Sequence, residues 1–319
     1  MDRKILSKNF ICFPDPSVLV RMFNNMVQSK LNFCFCTLAF GNVYRALAKE
    51  LVQDLEKYAP GIPVVLFTDK PRDFKTYKNA IVFNHKRHGI LLFHERRFAI
   101  AKALSMANSC VYLDADVRIC APVPTNIKWL PGITARSCAS MNKRFRSRLA
   151  VGDSPRPDIV KILQVYKKMA EKIGVNSEDD RTIWINEFLF VVTKDSGREL
   201  EFLGYWERLA LYADLNGLHK HPAYAIGLAA VKAGFPIRHD EMEGFDFFDD
   251  RIEKVRIKNG QSDPAAKQKY FETQEKVEQR YRSLPHKVMD KIMQPLCHHY
   301  HTARLQITTS LTDFDFYHR

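Results

Sequence analysis

The sequence is poor in glycine and proline and has no long apolar run. Only 13 of its 319 residues are Gly and 15 are Pro, which argues against collagen-like and low-complexity chains. No stretch of about 18 apolar residues occurs, so a membrane-spanning helix is not expected. Near the amino terminus, Lys8 and Asn9 interrupt the short apolar stretch, and Pro14 and Pro16 follow it. This pattern does not predict a signal peptide.

Cysteine is also sparse and irregularly spaced. The seven cysteines form no repeated CxxC pair, so the sequence predicts neither a disulfide framework nor a zinc finger. Cys34 and Cys36 lie two apart in an apolar run, on one face of a predicted strand, where a bridge between them is unfavourable. We therefore expect buried free thiols and a cytoplasmic protein, with peripheral contact at the cytoplasmic face of a membrane as a further expectation.

Positive charge is what the chain has in excess. Its 49 Lys and Arg outnumber 36 Asp and Glu, for a formal charge of +13, which predicts an anionic partner. Residues 136–148 concentrate this excess in Arg136, Lys143, Arg144, Arg146 and Arg148. The stretch is either a solvated loop or a contact for a phosphate-bearing acceptor or a membrane surface. Nucleic acid is the less expected partner, because no helix-turn-helix, zinc-finger or RNP signature is present.

Hydrophobic periodicity divides the first half into alternating strands and helices. Strands are predicted at 31–40, 62–69, 79–84 and 111–119, and helices at 43–58 and 94–108. In the second half, strands are predicted near 132–137 and at 184–193, and helices at 158–173, 198–213, 222–234 and, interrupted by Pro285, 263–293. This order predicts an α/β fold with a mainly parallel sheet flanked by helices and a helical C-terminal region.

The segment VYLDADVRI, residues 111–119, is the most informative one. Asp114 and Asp116 lie two apart at the carboxyl end of an apolar strand, the edge at which open α/β sheets bind ligands. Alternation along a strand would place both carboxylates on one side, where they can share a hard divalent cation. The alternative is a pair of surface carboxylates, because an isolated D-x-D is common.

Residues 32–120 resemble the metal-dependent GT-A glycosyltransferases, which use nucleotide-sugar donors. The resemblance rests on the order of CTLAFGNVYRALAKELVQDLEKY, IPVVLFTD and HERRFAIAKALSMANSCVYLDADVRI. It implies a GT-A-like fold, a nucleotide (UDP) sugar donor and a bound Mn²⁺ or Mg²⁺. It also implies a donor-binding half at 31–130 and an acceptor-binding half at 131–250, between an extension at 1–30 and a helical region at 251–319.

Particular site residues follow from the same resemblance. It makes Asp116 a direct metal ligand and places Asp114 nearer the ribose or sugar. Base and ribose contacts are implied for Thr37, Leu38, Ala39, Asn42, Tyr44 and Asp69. Tyr44 is equally well explained as a core aromatic. The resemblance also implies contacts of Arg97 and Lys102 with the diphosphate or sugar, and because adjacent helical residues point about 100° apart, only one of Arg96 and Arg97 is expected to face the site.

The tail CHHYHTARL is similar to the end of glycogenin-like members of this family. There the likeness implies that His298 completes the metal site and that Arg304, six residues on, holds the diphosphate. His299 and His301 compete with His298, and a solvated basic tail is an equal alternative. A zinc site is a third interpretation, although only Cys297 lies nearby.

Glu187 is the acidic residue of the apolar run 184–193, where burying an unpaired carboxylate is costly. It therefore pairs with a buried partner or faces the sugar, as general base in an inverting enzyme or as a stabiliser of positive charge in a retaining one. Asp240 and Glu241 are alternative bases. The sequence as a whole predicts a hexosyltransferase that acts on a hydroxyl of a glycan, lipid-linked or other acceptor. The alternatives are a basic nucleic-acid or membrane-binding module on a degenerate transferase scaffold, and a nucleotidyltransferase.

Overall fold

A seven-stranded sheet forms the centre of the computed structural model, which describes residues 31–150, 156–281 and 284–319. The predicted extension at 1–30, with Cys12, lies outside these residues. The strands are β1 (Leu31–Ala39), β2 (Val64–Thr68), β3 (Ala80–Asn84), β4 (Ala107–Leu113), β5 (Arg118–Ile119), β6 (Gly132–Ala135), β7 (Cys138–Ser140), β8 (Ile183–Ile185), β9 (Leu189–Thr193), β10 (Ile237–His239) and β11 (Phe247–Phe248). The sheet has the order β10-β6-β9-β4-β1-β2-β3, and the pairs β5–β11 and β7–β8 form two small sheets beside it.

Helices cover both faces of this sheet. In the described residues they are α1 (Gly41–Tyr58), α2 (Arg96–Leu104), α3 (Met141–Leu149), α4 (Pro157–Lys172), α5 (Arg198–Leu215), α6 (Pro222–Lys232), α7 (Asp250–Lys258), α8 (Pro264–Tyr281), α9 (Leu284–Thr312) and α10 (Phe314–His318). None of them, among the residues described, is long and apolar enough to cross a bilayer. The predicted α/β class, with its helical C-terminal region, is confirmed.

One strand breaks the parallel order. Strands β1, β2, β3 and β4 are parallel, as the strand and helix alternation predicts. Strand β9 lies antiparallel between β4 and β6, with Leu113 opposite Leu189. The amino-terminal end of β9 therefore lies beside the carboxyl-terminal end of β4. The residues just before β9 thus reach the same edge of the sheet as Asp114.

Two apolar cores lie against the sheet, and both are densely aromatic. On one side Trp206 and Phe202 of α5 pack with Phe235, and on the other Leu51 and Leu55 of α1 pack against β1 and β2. The first core also contains Cys34, Cys36 and Cys110 as free thiols. Burial raises the pKa of Cys34 and Cys36, which keeps these thiols protonated and chemically inert.

Several predicted elements differ from the observed ones. The strand expected at 111–119 ends at Leu113, because Asp114 to Val117 form a turn in which the Val117 N–H donates to the Asp114 carbonyl over 3.0 Å. Strand alternation is therefore the wrong reason for placing Asp114 and Asp116 together. The strand expected at 184–193 is two strands, because β8 pairs with β7 while β9 enters the large sheet.

The remaining differences concern helices. The basic stretch expected as a loop contains α3, whose first turn is capped by the Ser140 hydroxyl accepting from the Lys143 N–H over 3.4 Å. The tail histidines lie within the long helix α9, with His299 exposed and His298 and His301 half-buried. Pro285, expected to interrupt a helix, lies in the first turn of α9, where proline is tolerated.

We expect Gly227→Ala to destabilise the protein, although alanine normally favours a helix. A Cβ at Gly227 in α6 would lie 2.5 Å from the Ile183 carbonyl oxygen and 3.2 Å from Met141 Cε. Because a backbone atom cannot move aside cheaply, the cost should be about 1–3 kcal/mol of the free energy of unfolding, measured by urea denaturation. The matched control is Gly204→Ala in α5, where a Cβ meets nothing within 4 Å, and it should stabilise by about 0.5–1 kcal/mol. Equal effects at both sites would contradict the close packing of α6 on β8.

Candidate functional site

A cavity of about 980 Å³ opens at the carboxyl-terminal edge of the parallel strands. This is where α/β sheets of this kind bind ligands. Its floor is formed by Leu38 of β1, Tyr112 of β4 and the turn that follows β4, and its walls by the segment 90–93, by Asn186 and Glu187, and by residues 291–298 of α9. Elements far apart in the sequence thus enclose a volume that fits a sizeable polar ligand.

Arg96, at the start of α2, organises the acidic side of the cavity. Its Nη2 donates to both carboxylate oxygens of Asp114 over 2.8 and 3.1 Å, and its Nε donates to the Tyr112 hydroxyl over 3.1 Å. Its Nη1 is buried without a hydrogen-bond partner among the described residues and lies 3.9 Å from Glu187 Oε2. Burial opposes the positive charge, but Asp114, Tyr112 and Glu187 outweigh it and raise the pKa of Arg96. A cation of the cavity lining therefore lies between two carboxylates, with one buried donor not engaged among the described residues.

Asp116 is the carboxylate of the turn that Arg96 does not bind. Burial raises its pKa to about 7, and the carboxylates of Asp114 and Asp249 act in the same direction. Asp249 itself caps α7, accepting from the N–H groups of Arg251 and Ile252 over 3.1 and 3.0 Å. The Arg251 guanidinium, which lines the cavity, lies 3.3 Å from Asp249 and 3.9 Å from Asp114. Crowded carboxylates of this kind are stabilised by a positive charge brought in by a ligand or an ion.

Hard oxygen donors fit a divalent cation, and Asp116 is the better placed of the two candidate ligands because Arg96 already engages both oxygens of Asp114. No three His, Cys, Asp or Glu side chains of the described residues converge closely enough to hold an ion. His298 lines the same cavity, but its ring packs against that of His219, at 5.3 Å between centroids. Among the described residues, the protein thus offers carboxylate oxygens to a divalent cation but not a complete set of protein ligands.

Glu187 lies in the short segment between β8 and β9. Its Oε1 accepts from the Ala223 N–H at the start of α6 over 2.8 Å, and its Oε2 faces Arg96 and the cavity. Burial raises the pKa of Glu187 and outweighs the opposing influence of Arg96 and of the backbone N–H groups. One oxygen fixed by the backbone and the other facing the cavity make a carboxylate that can accept a proton from a bound hydroxyl.

The segment 85–95 forms a wall of the cavity and is fastened by Glu95. The Glu95 carboxylate is fully buried, contacts His85 Nε2 at 2.7 Å and accepts from the Gly89 N–H over 2.7 Å. Arg304 of α9 donates to the carbonyls of Arg87 and His88 over 2.7 and 2.6 Å, which ties the helix to the same segment. The wall is thus held from both sides.

We expect the contribution of Glu95 to the stability of the fold to be lost in acid. Burial favours protonated Glu95, but the His85 contact, the Arg97 charge and the Gly89 N–H outweigh it and lower the pKa to about 2 from the usual 4.5. A depressed carboxyl pKa stabilises the fold above pH 4.5, and that contribution, about 3 kcal/mol, is lost as the pH falls through 4.5 towards 2. Urea unfolding of wild type and Glu95→Gln should therefore differ most at neutral pH and converge near pH 2. A difference that does not change with pH would contradict this assignment.

Six of the residues predicted from the sequence line the cavity. They are Leu38, Tyr44, Asp114, Asp116, Glu187 and His298. Tyr44 is 46% exposed, so its placement agrees with a ligand contact rather than with a core aromatic. The structure brings these residues together from four separate regions of the chain.

The other predicted residues lie outside the cavity lining. Thr37 and Ala39 are buried within β1, and Lys102 places its ammonium 5.1 Å from the Phe83 ring. Asn42 and Asp69 are both bound by Arg45, at 2.5 and 2.6 Å. The Asn42 amide oxygen and both Asp69 carboxylate oxygens are therefore already engaged within the protein.

Arg97 and Asp240 also have other partners. Arg97 is buried, and its Nη1 donates to the His94 carbonyl over 2.6 Å. The helical rotation that separates it from Arg96 places Arg96 in the cavity instead. Asp240 accepts from the Met242 N–H over 2.6 Å, in the segment that connects β10 and β11. Arg304, which ties α9 to residues 87 and 88, likewise does not line the cavity.

Sequence reasoning favoured Arg97 over Arg96 and did not identify four other cations of the cavity lining, Arg87, Lys220, Arg251 and Lys291. Arg96 and Arg97 are adjacent, so only the helix phase distinguishes them. Arg251 follows the pair Asp249 and Asp250 in the sequence, a weak signal for the start of a helix near the site. Lys220 precedes the helix whose first N–H groups include that of Ala223, and no spacing pattern connects it with Asp114.

Comparison with known proteins adds information on the fold. No protein-family model matches the chain, and no curated protein matches it. The chain is similar to the apo structure of the bifunctional glycosyltransferase WbbM, with a TM-score of 0.38 and 11% identity over 68% of this chain. It is also similar to the galactosyltransferase LgtC in complex with donor and acceptor sugar analogues, with a TM-score of 0.42 and 12% identity over 64% of this chain. The matches cover 40% of the WbbM chain and 72% of the LgtC chain, and at these identities the likeness concerns the fold alone.

Proposed function

We propose that the protein is a glycosyltransferase that takes a hexose from a nucleotide-sugar donor, a UDP-sugar being the first candidate, to an acceptor hydroxyl. The observation that carries this proposal is the meeting of Asp114, Asp116, Arg96 and Glu187 at one cavity beyond the parallel strands. Leu38 and Tyr44 offer apolar and aromatic surface for a base and ribose at one end of the cavity. The likeness to two glycosyltransferases is consistent with this assignment.

The proposed reaction assigns separate tasks to these residues. The acceptor oxygen forms a bond to the anomeric carbon of the sugar, and the bond from that carbon to the diphosphate oxygen breaks, its electron pair leaving with the nucleoside diphosphate. Glu187 Oε2 accepts the proton of the acceptor hydroxyl, which its raised pKa favours. Arg96, whose Nη1 lies 3.9 Å from Glu187 Oε2, would keep positive charge beside the reacting oxygens. Asp240 is the weaker candidate for the base because it lies outside the cavity lining.

A divalent cation, Mn²⁺ or Mg²⁺, fits the carboxylate donors of this site. When bound it would neutralise negative charge on the diphosphate as that group leaves. Asp116 is the residue that would hold it, with Asp114 beside it, and His298 is the proposed additional ligand. Arg251 adds a second positive charge near the same carboxylates. The proposed donor half therefore combines the carboxylates of Asp114 and Asp116 with the positive charge of Arg251.

The test is hydrolysis and binding of a panel of UDP-sugars, with Mn²⁺, with Mg²⁺ and with chelator. We expect one donor to bind and to be hydrolysed slowly without acceptor, with metal increasing the rate. No binding and no turnover of any donor under any condition would refute the proposal. NMR of the anomeric proton in the product then distinguishes inversion, which requires Glu187 as base, from retention, in which Glu187 would stabilise positive charge on the sugar.

A further inference from the structure

Helix α3 carries a group of positive charges, two of which are half-buried. Residues 131–150 contain five basic side chains and no acidic one. Two of them, Arg144 and Arg148 of α3, are half-buried, whereas Lys143 and Arg146 of the same helix are exposed. The two half-buried guanidinium groups belong to the face of α3 that packs on the protein.

Aromatic side chains hold these two guanidinium groups in place. The guanidinium of Arg144 lies 3.6 Å from the centroid of the Trp184 ring, and its buried Nε has no hydrogen-bond partner among the described residues. Arg148 Nη1 donates to the Tyr224 hydroxyl over 3.2 Å. Stacking on an aromatic ring fixes the plane of a guanidinium and leaves its edge free for an anion. The arrangement is thus ordered before any ligand binds.

The segment before α6 adds the cation Lys220 and the imidazole of His221. Burial lowers the pKa of His221, and the charges of Arg148, Lys220 and Arg144 lower it further, so its ring is a neutral N–H donor near pH 7. The ring lies 6.0 Å from that of Tyr224, whose hydroxyl Arg148 binds. Asp158 at the start of α4 is the opposing charge acting on the His221 ring, and it is paired with Arg156 at 2.8 Å. Lys220 is exposed and also lines the cavity.

This group adjoins Glu187 through the same secondary structure elements. Trp184 precedes Glu187 by three residues, and Tyr224 follows Ala223, whose N–H binds the Glu187 carboxylate over 2.8 Å. Lys220 lines the cavity together with Glu187, so a ligand held jointly by Lys220, Arg144 and Arg148 would extend from this group into the cavity. In the proposed reaction Glu187 belongs to the acceptor side.

We propose that the acceptor carries a phosphate group close to its reacting hydroxyl, and that Arg144, Arg148, Lys220 and His221 bind this phosphate. The proposal rests on the proposed function and names the acceptor class for it. Two guanidinium groups in fixed planes suit the oxygens of a phosphate, which accept paired N–H donors. Because Arg144 and Arg148 are half-buried, they suit a single phosphate group. A flat membrane surface would instead contact the exposed Lys143 and Arg146.

The test compares two double variants that remove equal charge from one helix: Arg144→Gln/Arg148→Gln, and Lys143→Gln/Arg146→Gln as the matched control. Glucose 1-phosphate is titrated calorimetrically with UDP present, and methyl glucoside and glucuronic acid serve as the neutral and carboxylate probes. We expect the first pair to weaken phosphate binding at least about tenfold and the control pair less than about twofold, because charge-assisted hydrogen bonds contribute more than distant charge. Lys220→Gln, an exposed change that spares the core, should weaken the same binding.

The contrary outcomes are distinct. Equal losses in the two pairs, or glucuronic acid or methyl glucoside binding as tightly as glucose 1-phosphate, would overturn the proposal. Vesicles of phosphatidylcholine with and without phosphatidic acid distinguish a lipid phosphate from a soluble one, and loss of vesicle binding in the first pair only would assign a lipid source. UDP-sugar binding is measured separately. If no UDP-sugar binds, the proposed function fails but the phosphate titration can still be interpreted. If phosphate does not bind, this proposal fails and the proposed donor function is unaffected.

Discussion

Replacing Asp116 with asparagine is expected to lower sugar transfer about 10²–10³-fold while leaving the protein folded. The amide keeps the shape of the side chain but loses the negative charge that the proposed cation site requires. A Lewis-acidic ion contributes several kcal/mol to such a transition state, and each 1.36 kcal/mol corresponds to a tenfold change in rate. Because Asp114 is already bound by Arg96, it cannot replace Asp116 without losing that contact.

Two measurements check this expectation. The rate of transfer is followed across Mn²⁺ concentrations, and Mn²⁺ binding is titrated directly in the absence of any donor. Asp116→Asn should lose affinity in the direct titration as well as rate. Asp240→Asn is the matched control, since Asp240 is an aspartate whose side chain accepts from the Met242 N–H outside the cavity lining. Wild-type metal affinity in Asp116→Asn would remove this residue from the cation site.

Replacing Arg96 with methionine is expected to impair both stability and donor binding. Arg96 is 6% exposed and bonds Tyr112 and both oxygens of Asp114, so its removal leaves a largely buried carboxylate without its counter-charge. Breaking a buried ion pair from one side costs about 3–5 kcal/mol. Because the Asp114 side chain is 18% exposed, we expect a value near the lower end, measured by urea unfolding.

Two further variants separate the effects at Arg96. Arg96→Met/Asp114→Asn should recover part of the lost stability, because the unpaired carboxylate is then absent, and the double-mutant cycle measures the coupling. Arg97→Met removes the neighbouring guanidinium, which donates to the His94 carbonyl away from the cavity. We expect Arg97→Met to reduce stability without weakening UDP-sugar binding. Loss of donor binding in Arg97→Met but not in Arg96→Met would reverse the assignment.

The first half of the fold could be predicted because its signals are local. The apolar run at 31–39 and the helical period at 41–58 each reflect burial of one short segment, and the observed bounds of β1 and α1 differ from the predicted ones by no more than two residues. Leu38, Asp114 and Asp116 reach the cavity because carboxyl-terminal strand ends meet at one edge of a parallel sheet. For Asp114 and Asp116, the position at the carboxyl end of an apolar strand was sufficient, whereas Leu38 followed from the family resemblance.

Other features of the site depend on information that the local pattern does not contain. The phase of α2 decides between Arg96 and Arg97, and a rotation of about 100° is set by packing against the sheet rather than by the two identical side chains. Asp69 follows β2 at the edge where a ligand was expected, but its carboxylate pairs with Arg45 of α1 at 2.6 Å. Such competition between partners appears only when the helices are placed on the sheet.

Strand β9, antiparallel between β4 and β6, has a consequence for how this protein can diverge. The donor-facing residues depend on β1, β4 and the start of α2, whereas Glu187, α3 and the segment before α6 belong to a later stretch of sequence, which joins the large sheet beside β4 through β9. Substitutions in that later stretch can alter the acceptor without disturbing the packing of β1 to β4. Substitutions that alter the acceptor are therefore expected at the exposed and half-buried positions of 136–148 and at Lys220, outside the strands β1 to β4.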